Sequence, residues 1–218
     1  MTADPATTTI ADPQVEPAPP ASAPGAAAHS GTIVLARHGE PALSRKIRLS
    51  AREYLDWWAR YEIGGLLPGQ CPPKHITDAA AKAELVFSST RLRSIETARA
   101  VCGERAIPAD EIFIEAPLPP PPWPDFIKLP PRAWGVISRT WWWFLGHHGG
   151  QETKAQAKVR AKEAARRLDA HAATGKDVLV VAHGFFNTMI GLELQRMGWK
   201  LTEDRGFRYW STRTFQRP

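Results

Sequence analysis

Thr32-Ile33-Val34-Leu35-Ala36, followed at once by Arg37-His38-Gly39-Glu40, is the stretch from which the fold of this chain is read. A short unbroken apolar run of this kind marks a buried strand. It ends in a cation, an imidazole and a glycine. Reactive side chains at the C-terminal end of such a strand stand where open α/β sheets bind ligands. Gly39 lets the backbone turn sharply and come close to a bound group. Arg-His-Gly alone is weak evidence and needs structural context.

Working outward, Asp177-Val178-Leu179-Val180-Val181-Ala182 is a second apolar run, and it ends at His183-Gly184. A third, Leu85-Val86-Phe87, ends at Ser88-Ser89-Thr90 and leads into Arg91, Leu92, Arg93 and then Thr97. Arginine and histidine side chains converging at one sheet edge make a cationic pocket. Guanidinium groups grip phosphate with paired hydrogen bonds, so phosphate is the ligand such a pocket suits.

The sequence here resembles the histidine phosphatase superfamily, which includes the cofactor-dependent phosphoglycerate mutases. The match rests on Arg37-His38-Gly39-Glu40, on Ser89-x-x-x-Arg93-x-x-x-Thr97-Ala98 and on His183-Gly184. They stand in the family's order, each at the end of an expected strand, and the resemblance covers roughly residues 32–197. It implies an α/β fold, a three-layer αβα sandwich with a mostly parallel central sheet, phosphoglycerate mutase-like. It implies phosphomonoester hydrolysis through a phosphohistidine on His38, without metal or cofactor. Arg37, Arg93 and His183 would neutralise phosphoryl oxygens. The family's Arg-x-x-x-Thr spacing selects Arg93 over its competitor Arg91. Family members often carry substrate contacts just after the first motif. Arg45 is then a phosphate or substrate contact, or else a solvated loop cation.

A strand at this point of the family commonly ends in the acid that protonates the leaving group. Ile112-Phe113-Ile114 reads as such a strand, and Glu115 follows it. Ala116-Pro117-Leu118 and a run of prolines replace the glycine-bearing sequence that usually comes next. Asp125, beyond those prolines, is the rival acid; a turn residue beside Pro124 is its plainer reading. A phosphoglycerate mutase-like phosphotransferase is the alternative activity. A weakly active binder of phosphorylated ligands at a membrane surface is another. A metallohydrolase using His38, Glu40 and His183 lacks the usual ligand spacing.

The chain has 218 residues, enough for one domain with a real core. Its net charge of +6 fits a small phosphorylated substrate, and also weak attraction to acidic lipid or nucleic acid. No nucleic-acid motif or Lys/Arg-rich run supports the last of these. Two cysteines, Cys71 and Cys102, make no disulfide framework, so a reducing, cytoplasmic setting is expected. Residues 1–31, dominated by Ala, Pro, Thr and Ser, read as a disordered tail without the charged and apolar regions of a signal peptide. Residues 32–218 read as the folded domain.

Ser50-x-x-Glu53 is a capping box that starts a helix running to about Tyr61. A short helix is expected over Thr77 to Glu84. Leu92, Ile95, Ala98 and Val101 predict one apolar helical face. Helices are further expected from Gln151 to Thr174 and from Phe185 to Met197, and a final strand or arm carries Tyr209, Trp210 and Phe215. Residues 117–148 form a Pro/Trp-rich insertion. Prolines give it an extended start, and Trp134 to Leu145 follow. Those tryptophans are a core helix, a lid over an apolar substrate pocket, or an interfacial helix touching lipid through residues 132–145.

Overall fold

A computed structural model describes residues 30–218; residues 1–29, and with them nearly all of the expected tail, lie outside the described residues. Strand β1 (Ile33–Arg37) pairs in parallel with β4 (Val178–Ala182), Ile33 opposite Val178 and Arg37 opposite Ala182. On the far side of β4 lies β2 (Leu85–Ser89), also parallel, and then the two-residue β3 (Ala109–Asp110). Antiparallel β6 (Thr212–Gln216) and β5 (Lys200–Asp204) complete the other edge, in the order β3-β2-β4-β1-β6-β5.

The core strands are apolar on both faces because both faces are covered. Ile33, Leu35, Val178, Val180 and Ala182 pack against α5 (Lys154–Ala172) and α6 (Gly184–Arg196). Ala36, Val86, Leu179 and Val181 pack against α2 (Lys74–Lys82) and α3 (Leu92–Cys102). This is the three-layer sandwich read from the sequence. A stripe of buried alanines on α5, from Ala157 to Ala172, lets that helix lie close to its neighbours. Its Thr153–Gln156 capping box and the Ser50–Glu53 box of α1 (Ala51–Ile63) each satisfy free N–H groups, worth about 1 kcal/mol per cap.

Three expectations change. Ile112-Phe113-Ile114 is not a strand: residues Glu111–Phe113 form a 3-10 turn. Asp110 accepts from the Ile112 amide at 2.9 Å, and Arg160 donates to the carbonyls of Ile112 and Ile114 at 2.9 and 2.8 Å. A side chain thus takes the bonds a neighbouring strand would have made. On α3 the buried face is Arg93, Ser94, Thr97 and Ala98, while Leu92 is 42% exposed. The helix turns its polar stripe inward at the sheet's C-terminal edge, so the apolar spacing misplaces its face. The final strand carries Phe215 but begins at Thr212, after Tyr209 and Trp210, and an unforeseen strand, Lys200–Asp204, precedes it.

Helix α4 (Pro131–Phe144) follows the proline-rich segment. Trp142 joins the main core and its indole donates to the Glu152 carbonyl at 2.9 Å. Trp134 packs instead with Tyr54, Trp57 and Tyr61 of α1 and donates to the Leu49 carbonyl at 2.7 Å. These two tryptophans are core residues. Val136 and Phe144 of the same helix, and Leu145 just past its end, lie exposed. No helix among the described residues is long and apolar enough to cross a membrane.

Candidate active site

β1, β2 and β4 run in parallel, so their C-terminal ends meet at one edge of the sheet and deliver His38, Ser89 and His183 together. The two imidazole rings stand 5.2 Å apart, edge to face, and both are buried. Arg93, on the first turn of α3 and wholly buried, lies against both. Its Nε donates to His38 Nε2 at 3.3 Å and its Nη2 to His183 Nδ1 at 3.4 Å. Its remaining capacity goes to the carbonyls of Tyr61 and Glu62 and to the Glu62 carboxylate at 2.8 Å.

These partners fix the tautomers. The Gly39 carbonyl can only accept, so His38 Nδ1, 2.7 Å away, carries the proton and Nε2 keeps its lone pair. Arg93 can only donate, so His183 Nδ1 is the acceptor and its Nε2–H donates to Ser89 Oγ at 2.9 Å. Both imidazoles are held well below their ordinary pKa. Burial is the largest cause in each; Arg93 and Arg37 add for His38, and Arg93 and His38 for His183. The Gly39 carbonyl pulls His38 the other way by a smaller amount.

Below about pH 6.5 the unfolded chain binds protons that the folded chain refuses. Stability is therefore complete above that pH and is lost as pH falls toward the depressed folded values, by up to about 1.4 kcal/mol per pH unit for each histidine. Urea unfolding should show a lower midpoint at about pH 5 than at about pH 7.5. An unchanged midpoint in a His38→Gln, His183→Gln double variant would confirm these two groups as the source; an equal fall would place it elsewhere.

The loop after β1 is clamped. The Gly39 amide donates to Thr97 Oγ1 at 2.9 Å, and Gln70 bonds both the amide and the carbonyl of Glu40. A Cβ on Gly39 would fall 2.4 Å from the Trp210 ring, so only glycine fits. Trp210 itself takes a left-handed backbone, φ 64°, rare for a bulky residue, and its amide donates to the His38 carbonyl at 3.3 Å. Its neighbour Tyr209 lies 5.9 Å from His38, centroid to centroid, with Arg37 stacked on its ring at 4.6 Å. Arg37 also donates to the Phe207 carbonyl.

The expected residues fall as follows. Arg37, His38, Arg93 and His183 come together. Arg45 is not a freely solvated cation: it lies over the rings of Tyr61 and Tyr209 at 5.2 and 5.7 Å and donates to the Tyr61 hydroxyl at 3.3 Å. Arg91 is half-buried at the rim and pairs with Glu62 at 2.8 Å. Glu115 sits at the start of α6, whose N-cap is His183, accepting from the Phe186 and Phe185 amides at 3.0 and 3.4 Å, with Arg139 at 3.9 Å. Asp125 is exposed and faces Arg52 at 3.7 Å. Glu62, Tyr61, Tyr209, Gln70 and Trp210 were not foreseen. Among the described residues, no group of three or more His, Cys, Asp or Glu side chains is placed to hold a metal ion.

No curated protein sequence matches the chain. Solved structures do. An open reading frame product of Mycobacterium tuberculosis is 18% identical with a TM-score of 0.52, over 84% of this chain and 90% of that one. Phosphoserine phosphatase of Entamoeba histolytica, solved with phosphoserine, is 15% identical at 0.53, over 84% and 89%. The ecdysone phosphate phosphatase of Bombix mori, in complex with tungstate, is 14% identical at 0.50, over 84% and 88%. At such identities the likeness speaks for the fold alone. The profile of the histidine phosphatase superfamily (branch 1) matches residues 74–215, from α2 to β6. That is well over half of the chain, and the protein accordingly belongs to the histidine phosphatase superfamily.

Proposed function

We propose that this protein is a phosphomonoester hydrolase that works through a phosphohistidine on His38. The observation that carries the proposal is the state of that imidazole. Its Nδ1–H is spent on the Gly39 carbonyl, and its neutral Nε2 is turned toward Arg93 inside a ring of arginines. Three donors around it are buried without a partner among the described residues: Nε of Arg37 and Arg45, and the Tyr209 hydroxyl. A phosphoryl group supplies acceptors of the charge and number these donors require.

His38 Nε2 attacks phosphorus. The P–N bond forms as the ester P–O bond breaks, and the electron pair leaves with the alcohol oxygen. Glu115 hands that oxygen a proton. Water then attacks the phosphohistidine and gives its proton to Glu115, and the P–N electrons return to His38. Arg37, Arg93, Arg45 and His183 offset charge on the equatorial oxygens, the main protein contribution in phosphoryl transfer. The low pKa of His38 keeps it a nucleophile in mild acid, so the acid limb of kcat/KM should lie below about pH 6.5. No step calls for a metal. The ligand expected is a small phosphate ester, and phosphoserine, named for the Entamoeba relative, is one of that kind.

Glu115 is tested through the leaving group. Glu115→Gln should slow hydrolysis of an alkyl phosphate by about a hundredfold, the lower range for general acid catalysis. A nitrophenyl phosphate, whose leaving group hardly needs a proton, should lose only a few-fold. Equal losses on both would reduce Glu115 to a cap on α6 and make Asp125 the next acid to replace.

A further inference from the structure

Between α1 and α4 lies a cavity of about 380 Å³. Three arginines reach it, Arg45, Arg132 and Arg139, against walls formed by Tyr54, Trp57 and Trp58. Among the described residues no aspartate or glutamate lines it. Arg139 meets one carboxylate outside the cavity, Glu115 at 3.9 Å. Arg45 keeps a buried Nε without a partner. Arg45 also links the cavity to the histidine pair, because its guanidinium lies over both Tyr61 and Tyr209. A second hollow, about 480 Å³, shares Arg45 and Arg132 and extends to Tyr209 and to Glu40 in the loop after β1.

Gly135 is an independent sign. It stands inside α4, where glycine costs about 1 kcal/mol against alanine. Packing does not demand it there: a Cβ would meet only the Tyr54 hydroxyl within 4 Å, at 3.9 Å. What the missing side chain does is keep the cavity open.

We propose that this cavity receives the alcohol part of the ester, and that this part carries an apolar ring and a second anionic group. The proposal rests on the phosphatase reading above. The aromatic walls take the ring, and Arg45 and Arg132, which meet no carboxylate among the described residues, take the anion by charge-assisted hydrogen bonds. Small esters without a second charge are poor substrates in consequence.

Phosphonates test this without turnover. The full chain is titrated in a calorimeter with methylphosphonate, phenylphosphonate and 4-carboxyphenylphosphonate. The carboxylated compound should bind at least about tenfold tighter than phenylphosphonate, a difference of about 1.4 kcal/mol. Arg132→Glu, at an exposed position, should bring that ratio close to one. Gly135→Leu should lower the phenyl-to-methyl ratio about fivefold by filling the space, in a helix that melts no earlier than wild type. A ratio near one in the wild-type protein, or ratios untouched by both variants, overturns the proposal. Hydrolysis of the matching phosphates separates the two readings. Turnover without carboxylate preference leaves the phosphatase standing and removes the cavity assignment. Selective phosphonate binding without turnover does the reverse.

Discussion

His38→Ala should lower turnover of an aryl phosphate by at least several hundredfold, with a much smaller effect on KM. The arginines and His183 would still bind the ester, but no atom would remain to form the P–N bond. The residual rate would be that of water attacking a bound, partly neutralised phosphoryl group. A second readout removes ambiguity. Wild-type protein quenched in alkali after mixing with labelled ester should retain one acid-labile phosphoryl group per chain, and the variant none. Both rates should persist in a metal chelator. A loss of only a few-fold, with label still on the variant, would show that another residue is the nucleophile. Loss of all activity with chelator and its return with added metal would favour a metallohydrolase.

The second large effect belongs to Arg93. Arg93→Ala leaves two imidazole nitrogens, two carbonyls and the Glu62 carboxylate without their shared donor. Removing one member of a buried charged pair costs about 3–5 kcal/mol, so a clear fall in melting temperature is expected with a loss of rate of about a thousandfold or more. Arg93→Lys, which keeps a charge but not the planar fork, should recover part of the stability and little of the rate. Arg91→Ala is the contrast. Its side chain is one-third exposed and keeps one carboxylate contact, so a loss under about tenfold is expected. If Arg91→Ala proved the worse variant, the site would be read two residues out of register on α3.

The frame of this site was legible because it rests on local patterns. Buried strands announce themselves as apolar runs, and β1, β2 and β4 each end in the residues that meet at the sheet edge. The Ser89, Arg93, Thr97 spacing placed Arg93 inward even though the apolar spacing on the same helix misled, with Leu92 left in solvent. What escaped is held by contacts with no local signature. Glu62 matters only because the end of α1 reaches α3, and Tyr209 and Trp210 only because the β5–β6 connection folds back onto the end of β1. A three-residue apolar run has no period to reveal, so 112–114 read as a strand although Asp110 and Arg160 hold the segment as a turn.

The placing of β1 in the sheet has a consequence in time. Both neighbours of the strand that carries His38 come from far along the chain: Thr32 bonds Asp177 across 145 residues, and Arg37 reaches Phe207 across 170. At about 5–20 residues per second, a ribosome takes roughly seven to thirty seconds to supply the first partner. Until then an apolar strand leaves the exit tunnel with both edges unpaired, the condition in which chains stick to one another. Synthesis that stalls before Val178 should therefore yield aggregates or chaperone-bound chains, and the two histidines can meet only after most of the chain has emerged.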